Sequence, residues 1–119
     1  MKIAISSQGD GLTAKLDPRF GRARMFVIYD DDTGESSSID NARNLNAAQG
    51  AGVQAAQTVS RSGAKILITG HCGPKAFSAL TAAGIKIFTA PEINVGEAIE
   101  LYKKGLLAEA SGADVDGHW

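Results

Sequence analysis

The chain has 119 residues, 44% hydrophobic and 21% charged, which supplies one apolar core and leaves little length for a second. Twelve basic residues against 13 acidic ones give a formal charge of −1, so no global field draws the protein to nucleic acid or to a membrane surface. No apolar run is long enough to span a bilayer, and the opening MKIAISSQGDG lacks the apolar stretch and cleavage site of a secretory leader. The lone cysteine, Cys72, has no partner for an internal disulfide, which points to a reducing cytoplasm.

In chain order, Lys2 to Ser7 (KIAISS) reads as a strand that breaks at Gln8-Gly9-Asp10-Gly11. Leu12 to Gly21 has no clean period, and Asp17-Pro18 bends it toward a turn. Arg24 to Asp30 (RMFVIYD) is a second strand, and Asp31-Asp32-Thr33-Gly34 turns the chain back into Glu35 to Asp40 (ESSSID). That third strand is polar, as suits an exposed sheet edge. Asn41 to Gln49 is an Asn/Ala-rich loop. From Gly50 to Ser62 the period becomes helical, with Val53, Ala56 and Val59 on one side. Lys65 to Thr69 (KILIT) is apolar on both faces, as a central parallel strand requires.

Pro74 to Ala83 carries Ala76, Phe77, Leu80 and Ala83 on one helical stripe and stops at Gly84. Ile85 to Thr89 (IKIFT) is the fifth strand. The last helix starts at Asn94 with Glu97 three residues on, and Val95, Ala98, Ile99 and Tyr102 fall at i, i+3, i+4 and i+7. Lys103 and Lys104 occupy its last turn, and Gly105 ends it. The order predicts a three-layer α/β/α sandwich around a mixed five-stranded sheet with one antiparallel strand. Residues 1–108 form a single domain in this reading, and 109–119 a tail.

In such sheets ligands gather beyond the carboxyl ends of the parallel strands. Two segments leave those ends. Gly70-His71-Cys72-Gly73-Pro74-Lys75 places Pro at a helix start, where a missing N–H costs nothing, and Gly73 lets the backbone turn tightly. A helix start attracts anions and lowers the pKa of a neighbouring thiol, so Cys72 is a candidate soft ligand and His71 a candidate imidazole ligand. The alternative for Cys72 is a small buried filler. The other segment holds Lys15, Arg19, Arg22 and Arg24 against Asp17, and arginine forks suit phosphate, sulfide-rich or carboxylate anions; its alternative is a solvated face with Phe20 plugging the core.

Three apparent motifs do not hold. Gly50-Ala51-Gly52-Val53-Gln54-Ala55 fits G-x-G-x-x-A, but no strand precedes it and no acid follows about twenty residues on, so it reads as a glycine-rich helix start beside an anion pocket. The Gly70 loop is too short for a Walker loop and has no Ser or Thr after Lys75. No hydrolytic triad is apparent, since His71 and His118 are the only histidines.

Taken together, KIAISS, Asp17 to Ala23 (DPRFGRA), the Gly50 helix start, Gly70 to Phe77 (GHCGPKAF), AAGIKIF and the short last helix resemble the dinitrogenase iron–molybdenum cofactor biosynthesis family over about residues 1–108. The resemblance implies a ribonuclease H-like α/β/α sandwich. It also implies a protein that binds, stores or delivers an iron–molybdenum–sulfur cluster or its precursor without turning over a substrate. The closely similar orange-protein group implies a molybdenum–copper sulfide cluster as another cargo, and cofactor-assembly or acceptor proteins are the implied partners. Many members carry His-Phe-Gly where this chain has Arg19-Phe20-Gly21, so Arg19 is expected to hold an anionic thiometallate by charge and hydrogen bonds.

The expected cofactor-binding set is then Arg19, Phe20, Gly21, Arg22, Gly50, Gly52, Gly70 and Gly73. Cys72, His71 and, from the tail, His118 are the candidate metal ligands. Two rival readings are a regulatory module for a small anion or nucleotide and a metal-dependent phosphoesterase, the latter requiring clustered carboxylates.

Overall fold

The computed structural model describes residues 1–41 and 50–112. Their strands form one six-stranded sheet in the order β3-β2-β1-β4-β5-β6. Strand β1 (Lys2–Ser7) lies inside it, antiparallel to β2 (Met25–Asp30) and parallel to β4 (Ala64–Thr69). Strand β3 (Ser36–Asp40) pairs antiparallel with β2 and forms one edge, where Ser36 and Ser37 are exposed. On the other side β5 (Lys86–Thr89) runs parallel to β4.

The α/β sandwich stands as expected, but the strand count is corrected from five to six. Ala108–Glu109 pairs antiparallel with Thr89 and Phe88 as β6, and the N–H of Ala110 donates to Ile87 O at 2.8 Å. The antiparallel members are thus β2 and β6. A two-residue strand carries no period to read, and it exists because the β5 edge offers unpaired backbone groups. It also straddles the boundary between residues 108 and 109, at which the tail was expected to begin.

Alternation along the strands divides the core between two faces. Ala4, Phe26 and Leu67 point toward α1 (Ala51–Arg61) and α2 (Pro74–Ala82), whose Ala55, Val59, Ala76 and Leu80 they meet. Ile3, Ile5, Val27, Ile66 and Ile68 point the other way, onto Val95, Ala98 and Ile99 of α3 (Val95–Lys103). The buried face of α1 consists of Ala51, Ala55, Ala56 and Val59, and Val53 is only half-buried. The stripe is turned from the expected one because Gly52 lies against α2: a Cβ there would stand 3.1 Å from the Cβ of Ala76.

Helix α3 keeps its expected ends. The backbone N–H of Asn94 donates to the Glu97 carboxylate at 3.3 Å, and Gly105, at φ 72°, terminates the helix with its N–H on Tyr102 O. Among the described residues no helix is long and apolar enough to cross a membrane.

Candidate functional site

The carboxyl ends of β1 and β4 lie side by side, and the two segments singled out above leave from them. They meet through the backbone. Arg19 and His71 form a parallel bridge, the N–H of His71 donates to Pro18 O at 2.6 Å, and the N–H of Phe20 donates to His71 O at 3.2 Å. Gly70 makes this approach possible, because a Cβ on it would stand 2.6 Å from Pro18 Cα.

A buried pair of hydroxyls supports the junction. The Ser6 hydroxyl donates to Asp17 O at 2.7 Å and accepts from Thr69, whose Oγ1 is also 2.7 Å away. Phe20 is wholly buried and stacks at a tilt on Phe26, with centroids 5.3 Å apart, so it anchors the loop from beneath.

Charge is distributed unevenly around this junction. The Arg19 side chain is 52% exposed, whereas its partner Asp17 is 6% exposed. Asp17 Oδ1 accepts the backbone N–H of Arg19 at 3.0 Å and lies 3.6 Å from its Nε. Arg22 is half-buried and Arg24 exposed, while Gly21 is buried in the same loop. Lys15 has a different setting, since it bridges to Asn94 at the start of α3.

Two depressions flank the junction. One, of about 300 Å³, is lined by Gly70, His71, Thr89, Ala90 and Pro91. The other, of about 390 Å³, is lined by Gln8, Asp17, Pro18, Arg19, Arg24 and Glu92, with Gln8 Nε2 donating to Glu92 at 3.0 Å. His71 is exposed at the first. Cys72 is 4% exposed, and its thiol lies 3.6 Å from Gly73 O in the apolar cluster with Phe20, Leu67 and Ala76.

The helix starts differ in what they have to offer an anion. Neither α1 nor α2 has an acidic residue in its first turn, and the Gly52–Ala76 contact brings those first turns together. Gly50, at φ 77°, and Gly73 precede them. Among the described residues nothing accepts from the N–H of Lys75 or Ala76, the first free donors of α2 after Pro74. In α3, by contrast, Glu97 sits in the first turn, and the N–H groups of Val95 and Gly96 donate to Ala14 O and Leu12 O, both at 2.8 Å.

The geometry therefore joins Arg19, Phe20, Gly21, Gly70, His71, Cys72 and Gly73, with Gly52 one helix contact away. His118 and the Asn/Ala-rich loop beyond Asn41 lie outside the described residues. Among the described residues no three of His, Cys, Asp and Glu converge into a metal-holding group. Sequence reasoning did not find Ser6, Thr69, Gln8 or Glu92. Their roles come from pairings across the fold that no local pattern encodes, although a serine inside an otherwise apolar strand is a faint signal for Ser6.

A fold of this class has known relatives. A model of the family described as dinitrogenase iron–molybdenum cofactor matches residues 1–105, and the chain belongs to that family. It is similar to the apo form of the orange protein from Desulfovibrio gigas, with 42% identity, 96% of each chain covered and a TM-score of 0.93. It is also similar to a NifB-like protein from Thermotoga, with 33% identity, 98% of each chain covered and a TM-score of 0.85. An uncharacterised protein of Methanocaldococcus jannaschii is 30% identical over 109 residues, which are 90% of this chain and 89% of that one. The family and the orange-protein likeness point to an accessory role in handling an iron–molybdenum cofactor or a related cluster.

Proposed function

We propose that the protein is a non-enzymatic cytoplasmic carrier that holds an anionic metal–sulfur cluster at the carboxyl edge of its sheet and passes it to a cofactor-assembly or acceptor protein. The cargo is an iron–molybdenum–sulfur cluster, its precursor, or a molybdenum–copper sulfide. The observation that carries this reading is the backbone pairing of Arg19 with His71, which sets the two residues side by side ahead of α2, each lining one of the two depressions that flank the junction.

In this reading Arg19 and Arg22 offset the cluster's negative charge. Gly52 and Gly70 keep the segments packed together, Gly21, Gly50 and Gly73 let backbone N–H groups come close, and the adjoining helix starts add their positive ends. His71 supplies a direct bond to copper or iron, since imidazole suits both. Cys72 lies directly below as the remaining candidate ligand, and Phe20 keeps the loop seated.

Anaerobic reconstitution with tetrathiomolybdate plus copper(I) or iron(II), followed by desalting, tests the reading. The expected result is a visible chromophore that stays with the protein and is lost in an Arg19→Ala/His71→Ala variant. A Cys72→Ser variant measured alongside separates ligation, which would abolish the chromophore, from packing, which would preserve it. No retained chromophore with any combination, or saturable heat with ATP instead, would contradict the carrier reading.

A further inference from the structure

Arg19 does not meet its surroundings as a free cation. The Asp17 carboxylate is 6% exposed, so water screens it weakly, and its Oδ1 faces both the backbone N–H of Arg19 at 3.0 Å and Nε at 3.6 Å. Asp17 itself is held in place. Its carbonyl oxygen takes the buried Ser6 hydroxyl, and the next residue, Pro18, is clamped between Gly70 and His71. Both Asp17 and Arg19 line the same 390 Å³ depression. One carboxylate thus does two opposing things there: it fixes the loop that presents Arg19, and it cancels part of the charge that Arg19 presents.

We infer that Asp17 is a positioning residue that also limits the affinity of the Arg19 loop for multiply charged anions, so that the site can release what it holds. This rests on the proposed anion site and adds how its strength is set. Asparagine separates the two effects: its side-chain oxygen retains the acceptor for the Arg19 N–H, while the negative charge disappears. Asp17→Asn is therefore expected to bind a dianion more tightly than the parent, through the direct repulsion it removes and, while the guanidinium is present, through the Arg19 Nε that it frees.

The test is a titration with tetrathiomolybdate alone, at low and high salt, of the parent, Asp17→Asn, Arg19→Gln and the double variant. Thermal unfolding of each checks that the fold is kept. Asp17→Asn should tighten binding by about three- to tenfold at low salt, as expected for a half-screened ion pair, and the gain should shrink at high salt. In the Arg19→Gln background the same change should give a smaller gain, since only the direct repulsion between carboxylate and dianion is then removed. Equal gains in both backgrounds would show that Asp17 does not act through Arg19 and would overturn the inference.

Parent binding that Asp17→Asn leaves unchanged or weakens in a folded protein overturns the inference and leaves the anion site standing. Absence of binding in all four proteins overturns both. Binding by Asp17→Asn alone supports the inference and shows a parent site too strongly restrained to hold this dianion.

Discussion

Two loops leave the carboxyl ends of neighbouring parallel strands and each starts a helix, yet they treat their helix starts in opposite ways. The loop from β5 into α3 is closed. The carbonyls of Leu12 and Ala14 fill its first N–H groups, Glu97 neutralises its dipole, and Lys15 bridges to Asn94. The loop from β4 into α2 is paired along its side, through Pro18, Arg19 and Phe20, and leaves the donors of Lys75 and Ala76 without an acceptor among the described residues. A helix start whose donors are already taken has little to offer an anion, whereas free donors at a helix start attract one. The same architecture thus yields one closed helix start and, in the reading proposed above, one that receives an anion.

The largest expected effect comes from breaking the side pairing of the receptive loop. Gly70→Ala drives a Cβ into Pro18 Cα and should cost about 3 kcal/mol in urea unfolding, as overpacking against backbone does, while abolishing cluster retention. Ser6→Ala comes next. It removes the donor to Asp17 O and leaves Thr69 with one partner fewer, for about 1–2 kcal/mol by the same measurement, and it should loosen the Arg19 segment.

The contrast between the helix starts can be sharpened by charge. Lys75→Glu should weaken tetrathiomolybdate binding about fivefold by placing an acid at the open end of α2. Glu97→Gln at α3 should leave binding unchanged, because the Leu12 and Ala14 carbonyls still occupy that end.

The smallest effect lies at the far end of α3. There a hydrogen bond to Asp31, at 3.2 Å, raises the pKa of Lys103, with smaller contributions from Tyr29 beneath it. A raised lysine pKa stabilises the fold below the ordinary lysine value and loses that contribution as pH rises through the raised one. Lys103→Met should therefore lower the melting temperature marginally at neutral pH and not at all in strong alkali.

Most of this fold is legible in the sequence because its elements declare their own period. KILIT is apolar on both faces and lies inside the sheet, ESSSID is polar and forms an edge, and Val95, Ala98 and Ile99 mark the inner face of α3. The site was only half legible. Arg19 and His71 are conspicuous as residue types, but their adjacency depends on a backbone bridge between segments fifty residues apart, permitted by a missing side chain at Gly70. The Ser6–Thr69 pair and the closure of α3 by Leu12 and Ala14 arise from the same kind of long-range contact. For Cys72 the sequence left ligand and filler open. Burial seats the thiol under the loop beside Phe20.

The most direct test of the central claim is to map backbone amide shifts by NMR while titrating tetrathiomolybdate into the protein. The account predicts saturable shifts at Arg19 to Arg22 and at His71 to Ala76, with Val95 and Gly96 unmoved. Shifts centred on the start of α3, or spread evenly over the surface with none at the Arg19–His71 junction, would contradict it.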